Sequence, residues 1–434
     1  MNHLISNGVL IFDGLEVEAD LLIREGVIAA IGRDLSAEGA DIIDASGCYV
    51  MPGMVDLDAH LDLGATGAYA PEQIGAVTRQ GVLGGITTQV FDFPATMPAA
   101  RVGDLLQAHA RQHVVLRAAV GQGAARPGAV ESVRQRLTCG VRCSMRRLGG
   151  LAPLPAAEVL LTLREAGQDV PVYIHPQDGQ LGDFEQQAAA RASGLTPTQM
   201  RQAMHPHYLG DVGVRMAGAL ARACREPRVV LMPLTTTEEI AALGYLREEM
   251  GGLLMAATPF PYLVMALEEN SSGVGRLPAG YPPLRGRHDR LILWKAVEAG
   301  LVDAITSSAS LPGDDLLGQP AFLLPALYQA GVVERRMAFA ELARLLTDNP
   351  AKLAGVYPRK GTLLPGADGD LVIFDPESLI APPDTANSPW TNIRTQGAIT
   401  HVLLKGRPVV HNSEPISELP LGNVLEIESL TIEK

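Results

Sequence analysis

Lysine is absent from the first 294 residues of this 434-residue sequence, and the first one is Lys295. Apart from histidine, every basic side chain before that point is arginine. Histidine in turn is absent from residues 208–287. A guanidinium stays protonated and is neither a nucleophile nor a metal ligand. Chemistry that needs a lysine amine, or a carbamate formed on one, is therefore excluded from the first two thirds of the chain.

Long apolar runs, paired cysteines and excess positive charge are also missing. No apolar run approaches 18 residues, and the segment MNHLISNGVLIFDG lacks the charged region and cleavage site of a secretory signal. The net charge of −13 comes without a basic stripe, which argues against nucleic acid or a membrane as a partner. The cysteines are Cys48, Cys139, Cys143 and Cys224. They form no Cys-x-x-Cys pair, so we expect reduced core thiols and a cytoplasmic protein.

Hydrophobic residues make up 47% of the sequence and charged residues 19%, enough to bury a large core. The N-terminal part consists of short β-branched runs separated by turn signals, as in HLISNGVLIF and DLLIREGVIAAIG. The same pattern of short β-branched runs recurs in GDLVIFDPE and AITHVLLKGRPVV, near the C-terminal end of the sequence. We therefore predict a composite β-sandwich domain from residues 1–50 and 361–434, and a second domain from residues 51–360.

The middle of the sequence alternates strand-like apolar runs with segments whose apolar residues recur at helical spacing. This alternation predicts an α/β protein with a (β/α)8 barrel, or TIM barrel. The predicted barrel strands are Val50–Leu61, Ile86–Phe93, Val114–Val120, Val141–Leu148, Val170–His175, Arg228–Leu234, Gly252–Ala257 and Val302–Ser307.

The stretch YVMPGMVDLDAHLDL, residues 49–63, carries the most distinctive pattern. An apolar strand and a Pro-Gly break precede a second strand that ends with Asp56, Asp58 and His60 at alternate positions. Because side chains alternate along a strand, these three are expected to point to one side, at the barrel end that carries active sites.

Several motifs together resemble the cyclic amidohydrolases, the hydantoinase, dihydropyrimidinase and dihydroorotase-like group of the amidohydrolase superfamily. They are PGMVD, GGITTQVFDFP, YIHPQD, TPFPYL, PPLR and TDNPAKLAGVYPRKGTLLPGADGDLVIFDPE. The resemblance covers essentially the whole chain. It implies a TIM barrel with a small β-sandwich domain, and hydrolysis of C–N bonds in hydantoin, dihydropyrimidine or dihydroorotate-type rings.

In that family, hydrolysis uses two divalent metal ions about 3.5–4 Å apart, held by four histidines, a carboxylated lysine and an aspartate. Carried over by position, the ligand positions fall at Asp58 and His60 on the first strand, Met145 on the fourth, His175 on the fifth, Pro233 on the sixth and Ser307 on the eighth. Met, Pro and Ser are poor ligands for zinc. We therefore expect the binuclear centre to be lost.

Three of these positions, Asp58, His60 and His175, keep side chains that can bind metal. They either hold at most one weakly bound zinc ion or form a hydrogen-bonded polar cluster in the barrel mouth. We favour the polar cluster and expect no cofactor, because three ligands from two strands leave the far side of an ion open.

On the fourth predicted strand, Cys143, Met145 and Arg147 alternate and are expected to share its inward face. Arg147 could clamp a carboxylate or phosphate ligand. Alternatively, it forms a salt bridge to Asp58 or Asp178 that fills the space of the metal ions. A nucleophilic Cys143 is the weaker hypothesis, because buried cysteines are usually inert.

Two histidine pairs lie outside these positions. His109 and His113 are four residues apart in QAHARQH, and we expect them at the solvated end of an outer helix. His205 and His207 flank a proline in MHPHY, where capping at the protein surface is expected.

Three classes of function remain open. The favoured hypothesis is a pseudoenzyme, a non-catalytic structural or regulatory subunit of a homo-oligomer (dimer or tetramer), alone or with a catalytic partner enzyme. The second is a mononuclear metal-dependent cyclic-amide hydrolase. The third is a rewired pocket with metal-independent chemistry or an anionic ligand near Arg147.

Overall fold

A computed structural model gives the fold of the chain. It describes residues 1–59, 70–120, 126–145, 153–225, 227–270, 282–308, 319–379, 390, 393–416, 418–419 and 422–428. None of the helices in these ranges combines the length and hydropathy needed to cross a lipid bilayer.

The strands are β1 (His3–Phe12), β2 (Leu15–Arg24), β3 (Val27–Gly32), β4 (Asp41–Asp44), β5 (Tyr49–Pro52), β6 (Met54–Ala59), β7 (Ile86–Pro94), β8 (His113–Val120), β9 (Val141–Ser144), β10 (Val172–His175), β11 (Val229–Leu231), β12 (Leu254–Pro259), β13 (Ala304–Thr306), β14 (Leu371–Asp375), β15 (Ala398–Leu404), β16 (Arg407–His411) and β17 (Glu414–Pro415).

The helices are α1 (Pro71–Leu83), α2 (Ala99–His109), α3 (Arg126–Arg134), α4 (Ala156–Ala166), α5 (Gly179–Arg191), α6 (Pro197–Met204), α7 (Tyr208–Arg222), α8 (Thr237–Met250), α9 (Pro261–Val264), α10 (Leu267–Asn270), α11 (Arg287–Glu298), α12 (Pro320–Leu327), α13 (Phe339–Arg344) and α14 (Asp348–Leu353). A 3₁₀ turn covers Gly251–Leu253, and a π-helical turn covers Tyr328–Val333.

Both ends of the sequence build one mixed sheet. Its strands follow the order β17-β16-β15-β14-β5-β1-β2-β3, and β4 lies beside β1. Strand β5 joins the two ends, because it pairs parallel with β1 and antiparallel with β14, where Met51 lies opposite Val372. The predicted composite β domain is confirmed, and its exact boundaries stay a prediction.

Strands β6 to β13 form a parallel sheet in sequence order. The gap between the last and first of these strands is bridged by Ser307, whose backbone N–H donates to the Asp56 carboxylate at 2.9 Å. Helices lie between successive strands along the chain. The predicted TIM barrel is confirmed.

The two faces of the barrel strands belong to different apolar clusters, as β8 illustrates. Val114 and Leu116 are buried in the large cluster shared with the helices, whereas Val115 belongs to the smaller cluster that fills the barrel interior. Both faces of a strand are thus apolar, as expected for a parallel sheet covered by helices.

The amino end of the barrel is covered by residues 422–428. Leu425 and Ile427 belong to the interior cluster, and the Leu425 N–H donates to the Val114 carbonyl at 2.8 Å. A Cβ on Gly422 would lie 1.7 Å from the carbonyl oxygen of Gln112, so only glycine permits this approach.

A buried ion cluster joins the barrel to the β domain at this end. Lys360 Nζ lies 2.6 Å from Asp370 and 2.9 Å from Asp368, and its side chain is 1% exposed. His113 Nε2 lies 3.6 Å from the same Asp370 carboxylate. His113 therefore begins a barrel strand and is buried, so the expectation of a solvated helix end was wrong for this residue.

Candidate functional site

The first barrel strand, β6, carries two buried carboxylates with different partners. Asp58 Oδ1 accepts a hydrogen bond from Arg142 Nη1 at 3.1 Å, whereas Asp56 accepts one from the Ser307 hydroxyl. The register of β6 against β7 shifts between Asp56 and Ala59. Simple alternation fails at this shift, so the prediction that Asp56 and Asp58 point to the same side was wrong.

The inward face of the fourth strand, β9, is formed by Arg142 and Ser144. Arg142 reaches Asp58 across the interior, whereas Cys143 and Met145 are buried in the outer cluster with the helices. The prediction that Cys143 and Met145 face inward was therefore wrong, because a shift of one residue reverses the side chains of a strand. Burial raises the pKa of Cys143 to about 12, so its thiol is a packing group and not a nucleophile.

Two arginines and two aspartates form an ion network inside the barrel. Arg142 Nη1 lies 3.1 Å from Asp58 and 3.3 Å from Asp92. Arg117 binds Asp92 through two hydrogen bonds of 2.6 and 2.9 Å, and its guanidinium lies 4.4 Å from the centre of the Tyr173 ring. Burial alone would raise the pKa of Asp92, but Arg117 and Arg142 outweigh it and hold that pKa below its usual value. The four formal charges cancel.

The remaining predicted site residues fall into three groups. His175 ends β10 and is 2% exposed, and Pro233 is buried just after β11. Asp178 is the N-cap of α5, where its carboxylate accepts a backbone N–H at 2.8 Å. His60 and Arg147 lie outside the described residues, so the proposed roles of both stay predictions.

Ser307 belongs to a polar chain in the barrel wall. Its hydroxyl donates to Asp56 at 2.5 Å, and Gln89 Nε2 donates to the same carboxylate at 2.9 Å. Gln112 Nε2 donates to the Gln89 side chain and so extends this series of hydrogen bonds. The Gln112 amide lies against Gly81 of α1. Burial raises the pKa of Asp56, and these hydrogen bonds oppose that shift. These hydrogen-bonded side chains therefore run through the barrel wall toward α1, and the prediction that Ser307 lines the pocket stays a prediction.

A Ser307→Ala variant should test this closure. Removing the hydroxyl leaves a buried carboxylate short of one donor, which we expect to lower the free energy of unfolding by about 1–3 kcal/mol. Urea unfolding measures the change, with Ser193→Ala as an exposed serine control. Equal unfolding midpoints for the two variants would show that the Ser307 hydroxyl is not needed for the barrel to close.

The side chains at the predicted ligand positions do not match what two metal ions require. Within the described residues, Asp58 is bonded to Arg142, Met145 packs toward the helices, Pro233 offers no side-chain donor and Ser307 is bonded to Asp56. Of these positions, His175 alone offers an imidazole. These side chains do not supply the ligand set that the resemblance to cyclic amidohydrolases requires.

Arg117, Arg142 and Asp92 were not among the site residues predicted from the sequence. Each is a single charged residue inside an otherwise apolar strand, in VVLRAAV, VRCS and VFDFP. Charged side chains are almost never fully buried unless they are paired. Lone charges in barrel strands were therefore an available signal that these residues bind one another.

A profile of the amidohydrolase family matches residues 190–409, half of the chain. The chain therefore belongs to the amidohydrolase family. Within it, the D-hydantoinase of Geobacillus stearothermophilus is 25% identical over 98% of this chain and 96% of that protein. The allantoinase of Rubrobacter xylanophilus is 29% identical over 95% of each chain.

Solved structures share the fold of this chain. The crystal structure of dihydropyrimidinase from Brevibacillus agri superposes with a TM-score of 0.88 at 22% identity and covers 99% of both chains. The L-hydantoinase from Arthrobacter aurescens gives a TM-score of 0.85 at 21% identity, over 98% of this chain and 99% of that one. At these identities the likeness shows the fold alone.

Proposed function

We propose that this chain is an amidohydrolase-family homologue without the binuclear metal centre, and that it acts as a non-catalytic structural or regulatory subunit of an oligomer. The observation that carries the proposal is the buried pair of Arg142 and Asp58. A fixed cation is bonded to the residue at a first-strand ligand position, at a distance of 3.1 Å.

Charge balance supports this proposal. Arg142 and Asp58 are 1% and 3% exposed, and the interior network has no net formal charge. A divalent ion beside Asp58 would meet the guanidinium at short range in a poorly screened environment. Displacing Arg142 from Asp58 would leave its buried guanidinium with Asp92 alone, and separating buried charged partners costs several kcal/mol. The ion network therefore competes directly with metal at this position.

The missing bridge between two metal ions supports it independently. No lysine occurs before Lys295, so no barrel strand from β6 to β12 can offer a carbamate. Proline and methionine at two further ligand positions cannot replace the missing imidazole and carbamate.

A turnover assay on the full-length chain tests the proposal. The substrates are hydantoin, dihydrouracil, allantoin and dihydroorotate, each after incubation with Zn²⁺ or Mn²⁺. We expect no ring opening above the rate in buffer, and no change in bound metal on His175→Ala. The D-hydantoinase of Geobacillus stearothermophilus serves as the positive control. Ring opening that is lost in His175→Ala would refute the proposal.

A mononuclear cyclic-amide hydrolase is the second candidate function. His175 is retained at the carboxyl end of β10, and the matching enzymes are named hydantoinase and allantoinase. This candidate would use Asp58, His60 and His175 to hold one ion. It predicts one metal ion per chain that is lost when either His175 or Asp58 is replaced.

The oligomeric part of the proposal is tested separately by native mass spectrometry. We expect a dimer or tetramer of this chain. A monomer at micromolar concentration, with no larger species when the protein is concentrated, would refute the role as a structural subunit of a homo-oligomer. The proposed loss of catalysis would then be decided by the turnover assay alone.

A further inference from the structure

Three segments that begin helices meet on the rim of the barrel mouth. His207 directly precedes α7, Glu238 lies in the first turn of α8, and Asp289 lies in the first turn of α11. Helices α8 and α11 follow barrel strands, so their first turns lie at the carboxyl end of the barrel. One donor atom from each of the three side chains lies within 4.8 Å of the other two.

The three side chains differ in how far they can move. His207 Nδ1 lies 3.0 Å from Glu238 Oε2, and Nε2 lies 3.6 Å from Asp289 Oδ2. The side chains of His207 and Glu238 are 38% and 46% exposed, whereas that of Asp289 is 5% exposed. One donor is therefore held in place, whereas the other two side chains are exposed enough to rotate toward a shared position.

Asp289 is held in place by its own hydrogen bonds. Oδ1 accepts the backbone N–H of Thr237 at 2.9 Å and the Thr237 hydroxyl at 3.1 Å. Oδ2 accepts the backbone N–H of Gly286 at 3.3 Å. Outer-shell bonds of this kind orient a carboxylate ligand before the metal arrives, which reduces the cost of ordering the site.

We propose that His207, Glu238 and Asp289 bind one Zn²⁺ ion on the rim of the barrel, a site distinct from the family's metal positions. One imidazole and two carboxylates form a donor set that zinc accepts at about 2.0–2.2 Å, with water completing the tetrahedron. The ion would tie together the starts of three helices that are far apart in sequence. The inference does not rest on the proposed function.

Charge favours a cation here although three helices begin nearby. Helix amino ends contribute a partial positive charge, about half a unit each and confined to the first turn. The carboxylates of Glu238 and Asp289 supply two full negative charges, and a neutral imidazole adds none. The alternative occupant is a proton, which would make His207 a cation paired with both carboxylates without any metal.

Isothermal titration of the metal-stripped, full-length chain with ZnCl₂ tests the inference. We expect one Zn²⁺ ion per chain and a rise in melting temperature when zinc is added. Loss of an outer-shell partner alone weakens metal binding about 10–100-fold. Removing a ligand in His207→Ala or Glu238→Gln should therefore weaken zinc binding at least about tenfold.

The matched control is His288→Ala, because His288 is an exposed histidine next to Asp289 that lies outside the cluster. It should bind zinc as the natural chain does. Glu238→Gln keeps the size of the side chain, so a folding defect in His207→Ala would not decide the result. Zinc affinity unchanged in both ligand variants, or no zinc binding by the natural chain, overturns the inference.

A third variant separates this site from the barrel interior. His175→Ala should leave zinc binding at the rim unchanged. Zinc binding lost in His175→Ala but kept in His207→Ala would place the ion in the barrel mouth, which contradicts the rim site and favours the mononuclear hydrolase. The rim site can thus fail while the non-catalytic proposal stands, and the reverse also holds.

Discussion

An Arg142→Met variant is expected to lose about 3–5 kcal/mol of unfolding free energy. The Arg142 side chain is 1% exposed and pairs with Asp58 and Asp92, so its removal takes a cation away from both buried carboxylates, of which Asp92 keeps Arg117. Breaking a buried pair from one side is costly for this reason, even where the intact pair adds little. Urea unfolding followed by circular dichroism measures the change.

The double variant Arg142→Met, Asp58→Asn provides the internal control. It removes the charge on both partners, so it should recover part of the stability that the single variant loses. Arg101→Met, at an exposed arginine on α2, should stay within about 0.5 kcal/mol of the natural chain. An Arg142→Met midpoint close to that of Arg101→Met would mean that the interior network does not hold the barrel together.

Lys360→Met is expected to destabilise the fold by a similar amount, about 3–5 kcal/mol. Lys360 Nζ binds both Asp368 and Asp370 in the cluster between the barrel and the β domain. Without it, two carboxylates that are 8% and 4% exposed lose their buried cation. Lys295→Met removes an exposed lysine and should change the unfolding midpoint little.

The pH dependence of the same variant gives a second measurement. Burial raises the pKa of Asp370, but Lys360 and then His113 outweigh it, so the folded-state pKa lies below the usual value. A depressed carboxyl pKa adds stability that is complete above the unfolded pKa, about 3.9 for aspartate, and is lost as pH falls through the folded pKa.

The natural chain should therefore lose unfolding free energy as the pH is lowered from about 5 to about 3. Lys360→Met should lose less over this range, because the main cause of the depressed Asp370 pKa is gone. Urea midpoints at both pH values measure the difference. A steeper acid loss in Lys360→Met than in the natural chain would contradict the assignment of this pKa shift to Lys360.

The fold could be predicted from the sequence because strand and helix signals alternate clearly. Each predicted barrel strand overlaps an observed one, as Ile86–Phe93 does with β7 at Ile86–Pro94. The β-branched runs at both ends of the sequence likewise form strands of one sheet. Apolar content and turn residues decide where strands lie, and both can be identified from the amino-acid sequence.

The inward face of the fourth strand could not be predicted in the same way. Both faces of β9 are buried, one against helices and one in the interior. The apolar pattern therefore does not show whether Cys143 or Arg142 points into the barrel. A salt bridge from Arg147 to Asp58 was among the expectations and stays a prediction, because Arg147 lies outside the described residues. The structure adds Arg142 as a partner of Asp58, because register and not residue type decides which side chain enters the barrel.

The path of folding follows from the sheet that both chain ends share. Strand β5 pairs with β1, which is nearby in sequence, but its other neighbour, β14, comes from the opposite end of the chain. Closing so long a loop is entropically costly and slow unless the intervening chain has already collapsed. The barrel is thus expected to compact first. Until then, β5 presents an open edge to which a strand of another nascent molecule could pair.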